Sequence, residues 1–142
     1  MSQNFENHAR LVPGFHYVAL PILAVNLVWS IYRLIRGVSL EAAFGVALAV
    51  ALLLVAFFGR IFALTVQDRV IRLEMALRLE KLLPADLKPR IGELTVAQFV
   101  SLRFASDAEL PALTRKVLDD KLNDRKAIKQ MIKEWKPDLL RA

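Results

Sequence analysis

Residues 42–59 read AAFGVALAVALLLVAFFG, an uninterrupted run without charge or proline. The run consists mainly of Ala, Val, Leu and Phe, and Arg60 ends it. An apolar run of about this length is sufficient to cross the hydrocarbon core of a lipid bilayer as a helix. We therefore predict a membrane span over residues 42–59.

A second charge-free run, LVPGFHYVALPILAVNLVWSIY, occupies residues 11–32. Aromatic residues lie near both of its ends, as is typical of the two interfaces of a bilayer, and Arg33 and Arg36 follow it. The linker to the next span is short and contains Gly37 for a turn and Ser39 as an N-cap. Two spans so joined are predicted to form an antiparallel helical hairpin.

The 142 residues divide into an apolar first half and a charged second half. Five of the 34 Asp, Glu, Lys and Arg residues precede Arg60, and residues 60–142 carry a net charge of +5, from 17 basic and 12 acidic residues. The absence of cysteine excludes disulfides, thiolate catalysis and cysteine-ligated metals. Attraction to anionic lipid headgroups is expected for such a basic segment beside a membrane. Nucleic-acid binding is not expected, since aromatic residues for base stacking are scarce there.

The distribution of Lys and Arg predicts the orientation of the spans. The loop contains two basic residues, whereas the flanks on the other side contain five: Arg10, Arg60, Arg69, Arg72 and Arg78. Because basic residues concentrate on the cytoplasmic side, both termini are expected in the cytoplasm and the loop outside. The predicted location is therefore a lipid membrane whose cytoplasmic side carries both termini.

Residues 60–83 contain neither Gly nor Pro, so the second span is predicted to continue as one helical stalk from residue 40 to residue 83. Glu74 and Arg78 are placed for an i, i+4 ion pair. Apolar residues recur at helical spacing and predict a packing stripe: Ile61, Leu64, Val70 or Ile71, Leu73, Leu77 and Leu82.

Residues 84–142 are predicted to form a small helical module. Pro84 and Pro89 break the stalk, and Ser106 with Glu109 matches a capping box for a helix with an apolar face. A last helix is expected over residues 125–135, with Trp135 on its apolar, core-facing side.

Three segments resemble an uncharacterised bacterial family of small two-span inner-membrane proteins. They are an N-H-x-R start with His8 and Arg10, the segment LRFASDAELP at residues 102–111, and a closing segment IKQMIKEWKPD at residues 128–138 followed by Arg141. The resemblance extends over nearly the whole chain. It implies a bacterial origin and the two-span layout, and it implies no activity.

Known catalytic and nucleotide-binding motifs are absent from the sequence. His8 and His16 would lie about 12 Å apart along a helix, too far to share a metal ion. His16 alone at a membrane interface could contact haem or chlorophyll, although a hydrogen-bonded interfacial residue is the simpler interpretation. We therefore expect no cofactor and no enzymatic activity.

Asn26 is the one amide within the first span. Because an unpaired amide in hydrocarbon is costly, it should face another helix, either the second span or a partner protein. We expect Asn26, Trp29, Leu73, Leu77 and Trp135 to contribute to protein–protein contacts.

The predicted fold is thus an all-α membrane protein in four parts. These are a cytoplasmic segment over residues 1–10, a hairpin over 11–59, a stalk over 60–83 and a helical module over 84–142. The predicted function is that of a non-enzymatic accessory subunit, which packs in a larger membrane complex such as a respiratory or photosynthetic assembly. The alternative is a self-associating membrane protein with a homo-oligomeric stalk.

Overall fold

The computed structural model describes Phe5 and residues 11–138, so the predicted segment 1–10 with His8 and Arg10, and also Arg141, lie largely outside the described residues. Within these residues five α-helices follow in order: α1, Leu20–Arg36; α2, Leu40–Leu82; α3, Val96–Leu102; α4, Leu110–Asp119; and α5, Arg125–Gln130. A π-helical turn, Gly14–Ala19, precedes α1, and a 3₁₀ helix, Lys88–Glu93, follows α2. The described part of the chain contains no strand, and an isolated bridge joins Ala105 to Trp135. The prediction of an all-helical chain with two long apolar helices is confirmed.

The chain divides into two compact units after Ala63. The first, which we call the hairpin unit, contains α1 and the part of α2 up to Ala63. The second, the C-terminal unit, contains the rest of α2 together with α3, α4 and α5. The absence of a helix break at Arg60, predicted from composition, is confirmed by the length of α2.

The start of α1 is adapted to a proline. Pro21 lies in the first turn of α1, where its missing N–H is tolerated. The preceding turn, Gly14–Ala19, is widened to a π-helix in which the N–H of Leu20 donates to the carbonyl of Phe15. A wider turn provides room where the proline ring would clash with the carbonyl four residues earlier. Pro21 is thus accommodated by a π-helical turn directly before it.

The connection between α1 and α2 is closed by two side-chain contacts. Ser39 Oγ accepts a hydrogen bond from the N–H of Ala42 at 3.1 Å, which confirms it as the N-terminal cap of α2. Arg33 at the end of α1 pairs with Glu41 in the first turn of α2 at 3.2 Å. The carboxylate of Glu41 also lies where the helix dipole favours negative charge.

The apolar side chains of the hairpin unit remain mostly exposed. In the most apolar windows of the two long helices, 6% and 11% of the residues are buried. The buried ones on α2 are small, Ala42 and Ala49, and small residues allow a neighbouring backbone to approach. By length and composition, both helices are capable of crossing a membrane.

The C-terminal unit has a continuous apolar core. Its most deeply buried large side chains come from all parts of the unit: Leu79, Leu87, Leu102, Phe104, Leu110 and Ile128. A complete capping box of Thr95 and Gln98 starts α3, and Asp124 caps α5 by accepting from two backbone N–H groups. Gln98 also donates to the carbonyl of Leu122 at 2.8 Å, which ties α3 to the loop after α4.

The last helix is shorter than predicted. It ends at Gln130 rather than at Trp135. The N–H groups of Lys133 and Glu134 donate to the carboxylate of Glu109, and Trp135 forms the bridge with Ala105. The chain therefore leaves the helical path because other partners take its backbone donors.

Only one of the two hydrogen bonds of the capping box predicted at Ser106 is formed. Ser106 Oγ accepts from the N–H of Glu109 at 3.3 Å, as a cap should. The Glu109 carboxylate, however, bonds to Lys133 and Glu134 instead of returning to Ser106, and α4 begins at Leu110.

Candidate interaction surface

The C-terminal part of α2 carries two apolar faces rather than the single stripe predicted from the sequence. Ile71, Met75 and Leu79 are buried in the core of the C-terminal unit. On the opposite side lie Val66, Val70, Leu73 and Leu77, which we call the outer stripe. Their exposed fractions lie between 47% for Val70 and 63% for Leu73. The prediction placed either Val70 or Ile71 with Leu73 and Leu77; Val70 lies with them, and the helix turns Ile71 to the other face.

The outer stripe has the spacing of a helix-packing seam. Its four members follow one another at intervals of four, three and four residues, so they lie on one narrow face of α2. Burial of a side chain such as Leu or Val stabilises a protein by about 1.5–3 kcal/mol. A row of exposed apolar residues outside the two predicted spans is therefore the candidate surface for contact with another helix.

Arg78 holds α2 against the turn that precedes α4. Its Nε donates to Asp107 Oδ1 at 2.7 Å, and its two terminal nitrogens donate to the backbone oxygens of Arg103 at 3.1 Å and Ala105 at 2.6 Å. The hydrogen bond from Arg78 lowers the pKa of Asp107 below its ordinary value, and Lys136 adds to this effect. The predicted ion pair of Arg78 with Glu74 is not formed, because Arg78 turns to this set of acceptors instead.

The two family-like segments of the C-terminal unit meet in space. Lys136 donates its backbone N–H to the carbonyl of Phe104 at 2.7 Å, and Ser106 donates to the carbonyl of Glu134 at 3.0 Å. The rings of Phe104 and Trp135 pack with their centroids 5.0 Å apart. We call this junction of residues 102–111 with residues 128–138 the clasp.

Charged side chains complete the clasp. Arg103 lies over the ring of Phe104, 4.5 Å from its centroid, and its Nε is 3.1 Å from Asp138 Oδ2. The Arg103 side chain is almost fully buried, and a buried charge is costly unless it is paired. The carboxylate of Asp138 provides the opposite charge. The clasp thus combines packing, backbone hydrogen bonds and ion pairs, which hold residues 134–138 against the segment between α3 and α4.

The predicted site residues of the hairpin unit lie on its surface. Asn26 is exposed on α1, so contact with α2, one of its two expected partners, does not bury its amide. Trp29 is exposed as well, and its ring lies against that of Tyr32 with the centroids 5.6 Å apart. His16 is half-buried, with Nδ1 3.0 Å from the carbonyl oxygen of Val12 and 3.1 Å from its N–H nitrogen.

The three site residues predicted in the second half of the chain occupy different places. Leu73 and Leu77 lie on the exposed outer stripe. Trp135 lies in the clasp, half-buried against the core, as its apolar position predicted. The structure therefore does not bring Trp135 onto the same surface as the two leucines.

Two grooves also accompany the surfaces described. In the hairpin unit, an apolar groove of 520 Å³ lies between α1 and α2 and is lined by Phe15, Leu20, Leu27, Val50, Leu53, Leu54, Phe57 and Arg60. In the C-terminal unit, an open groove of 680 Å³ runs between α4 and the clasp. Among residues 11–138, no group of three or more His, Asp or Glu side chains is placed to hold a metal ion.

Sequence reasoning missed the long-range contacts of Arg78 and Glu109, each of which bonds to residues 24 to 29 positions away. The sequence spacing predicted only local contacts for them: an ion pair of Arg78 within α2, and a capping box formed by Glu109. The separation of the two faces of α2 could have been found by assigning each apolar residue its angle around the helix.

These features define an all-helical protein in which two long apolar helices lead into a small helical unit closed by a clasp. The chain belongs to a family of unknown function, DUF6526, whose model matches residues 1–142. The resemblance to an uncharacterised family is thereby confirmed. No curated protein and no solved structure has significant similarity to the chain.

Proposed function

We propose that the protein is a non-enzymatic, membrane-anchored accessory subunit, which binds other membrane-protein subunits in the bacterial inner membrane. The observation that supports this proposal is the exposure of the apolar side chains of α1 and of the first part of α2. Core helices of a water-soluble protein bury such side chains against their own chain. Here the chain provides little cover, and a lipid bilayer would provide it.

The proposed orientation places both termini in the cytoplasm and the connection between α1 and α2 outside. The C-terminal unit would then lie in the cytoplasm beside anionic lipid headgroups, to which its excess of basic residues is attracted. This arrangement follows from the larger number of basic residues beyond α2 than in the connection.

Asn26 and Trp29 are proposed to contact the other subunits within the membrane. In the described part of the chain, the exposed amide of Asn26 makes no hydrogen bond. An amide in hydrocarbon is stabilised by a hydrogen bond from a neighbouring helix. A partner subunit, for instance of a respiratory or photosynthetic assembly, would satisfy it.

Membrane insertion is tested with single cysteines, which the natural chain lacks. Val38 is 90% exposed between α1 and α2, and Arg72 is exposed on α2 beyond the proposed span. A membrane-impermeant thiol reagent should label Val38→Cys in intact cells and Arg72→Cys only after lysis. Release of the chain by an alkaline carbonate wash would contradict insertion.

The accessory role is tested by extracting native membranes in a mild detergent and separating the extract on a native gel. Mass spectrometry should find the chain together with other subunits, and an absorption spectrum of the band would reveal haem or chlorophyll. Asn26→Leu should weaken the comigration, whereas Val25→Ala, which changes an exposed neighbour on α1, should not. A band that contains this chain alone would contradict the accessory role.

Self-association is a second candidate function, and the outer stripe favours it. The stripe lies outside the proposed spans, where lipid would not cover it. A helix from another chain would cover it instead.

A further inference from the structure

The outer stripe follows the seven-residue repeat of a two-stranded coiled coil. In the notation abcdefg, Val66 and Leu73 occupy d positions, and Val70 and Leu77 occupy a positions. Among parallel coiled coils, Val at a followed by Leu at d, as in Val70 and Leu73, favours two strands, whereas Val66 at d and Leu77 at a have the reverse order. The b, c and f positions hold Ile71, Leu79 and Met75, which the C-terminal unit buries. The face left for a second helix is therefore the a/d face.

The charges beside the stripe are complementary to those of a second copy of the same chain. Arg69 occupies a g position and Glu74 the e position of the next repeat, and both side chains are exposed. In a parallel two-stranded coiled coil, g faces the following e of the other strand. Arg69 of one copy would thus face Glu74 of the other, twice by symmetry. Across the described residues neither of the two makes an ion pair within its own chain.

The remaining flanking positions introduce no conflict in this register. Gln67 and Lys81 occupy the other e positions, and Ala76 occupies the other g position along the stripe. At these e and g positions no two like charges face one another. Glu80, at the d position after Leu77, would face Glu80 of the other copy, and Lys88 of the same chain lies 3.8 Å from its carboxylate. In an antiparallel pair, by contrast, g faces g and e faces e, so Arg69 and Glu74 would not meet.

We propose that the outer stripe is the interface of a parallel homodimer, fixed in register by reciprocal pairs of Arg69 with Glu74. This inference rests on the membrane anchorage proposed above, since two copies inserted with the same orientation have parallel α2 helices. Anchorage also raises the local concentration of the two copies, so that a seam of four residues is sufficient. Asn26 and Trp29 remain available for other subunits.

Disulfide cross-linking of the full-length chain in membranes tests the dimer without background, because the natural chain contains no cysteine. Leu73→Cys and Val66→Cys, both on the seam, should each form a covalent dimer under mild oxidation. Arg72→Cys, exposed one position from Leu73 but off the seam, is the matched control and should not. Equal cross-linking of Leu73→Cys and Arg72→Cys would overturn the proposal, and so would a Leu73→Cys chain that stays monomeric. An antiparallel pair would lose the Val66→Cys cross-link.

Exchange of the charges at positions 69 and 74 tests whether a second copy of this chain binds the outer stripe. In the Leu73→Cys background, Arg69→Glu and Glu74→Arg should each lower the cross-linked fraction by about fivefold, because each places like charges opposite one another. The double variant Arg69→Glu with Glu74→Arg should restore it. Failure of the restoration would overturn the assignment of a second copy and would point to a different protein on the stripe.

The same samples distinguish a failure of the dimer proposal from a failure of the proposed membrane anchorage. A carbonate wash of each variant measures membrane retention independently of cross-linking. A chain that stays in the membrane but gives no dimer contradicts the homodimer alone. A chain that leaves the membrane contradicts the anchorage, and with it the reason for the parallel arrangement.

Discussion

Arg78 and Asp107, 29 positions apart in the chain, are joined by a hydrogen bond of 2.7 Å between Nε and Oδ1. The same guanidinium also donates to two backbone carbonyls, those of Arg103 and Ala105. One side chain of α2 thus determines the position of the turn before α4 and of the first half of the clasp. Its role in this structure is to stabilise the fold, since all the acceptors it reaches belong to the C-terminal unit.

Replacement of Arg78 by Met is expected to lower the free energy of unfolding of the C-terminal unit by about 2 kcal/mol, because two partly buried carbonyls lose a charged donor. Arg78→Lys should recover only part of the loss, since an ammonium cannot reproduce the planar fork of the guanidinium. Urea unfolding of the detergent-solubilised chain, followed by the fluorescence of Trp135 in a Trp29→Phe background, measures both. Equal stability of Arg78→Met and the unsubstituted chain would contradict the role of this contact.

Acid should weaken the C-terminal unit through its paired aspartates. Hydrogen bonds from Arg78 and from Arg115 lower the pKa values of Asp107 and Asp86, respectively. A carboxyl group whose pKa is lower in the folded state contributes stability above its unfolded pKa, about 3.9, and loses the contribution as the pH falls through the folded value. We therefore expect the free energy of unfolding to fall below about pH 4.

The matched variants are Asp107→Asn and Asp86→Asn, which remove one titrating group each. Either should unfold more easily than the unsubstituted chain at pH 7 and should show a smaller loss of stability on acidification. Urea unfolding at a series of pH values gives the comparison. A pH dependence that neither substitution changes would assign the acid sensitivity to other groups.

The extent of the helices could be predicted because their signals are local. The charge-free runs, Ser39 as the cap of α2 and the continuity through Arg60 all depend on residues within a few positions of one another. The end of α5 could not be predicted in this way. It depends on Glu109, 24 positions before Lys133. The periodicity of neighbouring residues does not identify a partner so far away in the sequence.

The candidate surface was predicted only in part. Leu73 and Leu77 were selected for their helical spacing, and both lie on the outer stripe. Ile71, predicted as the alternative to Val70, lies on the opposite side of α2, where the C-terminal unit buries it. Which of two apolar faces a chain covers itself is a property of the tertiary fold, so periodicity alone does not assign it.

Glu109 is expected to determine the path of the chain after α5. Its carboxylate accepts from the N–H groups of Lys133 and Glu134 at 3.0 and 3.1 Å. Glu109→Ala should lower the free energy of unfolding by about 1 kcal/mol, as the loss of a helix cap does, and Glu109→Gln by less because one acceptor remains. Hydrogen exchange at Lys133 and Glu134 gives the direct readout. Protection of these two amides that persists in Glu109→Ala would contradict the assignment.

The two faces of α2 predict opposite outcomes for the same substitution. Leu79 is fully buried, so Leu79→Ala should lower the free energy of unfolding by about 3 kcal/mol through the cavity that it leaves. Leu73 is exposed in the single chain, so Leu73→Ala should change that free energy by less than about 0.5 kcal/mol. The comparison requires enough detergent to keep the chain monomeric, and it is made by urea unfolding. In membranes, by contrast, Leu73→Ala should reduce dimer formation more than Leu79→Ala does, because Leu73 lies on the proposed dimer seam. A loss of monomer stability in Leu73→Ala as large as in Leu79→Ala would show that the chain itself covers the outer stripe.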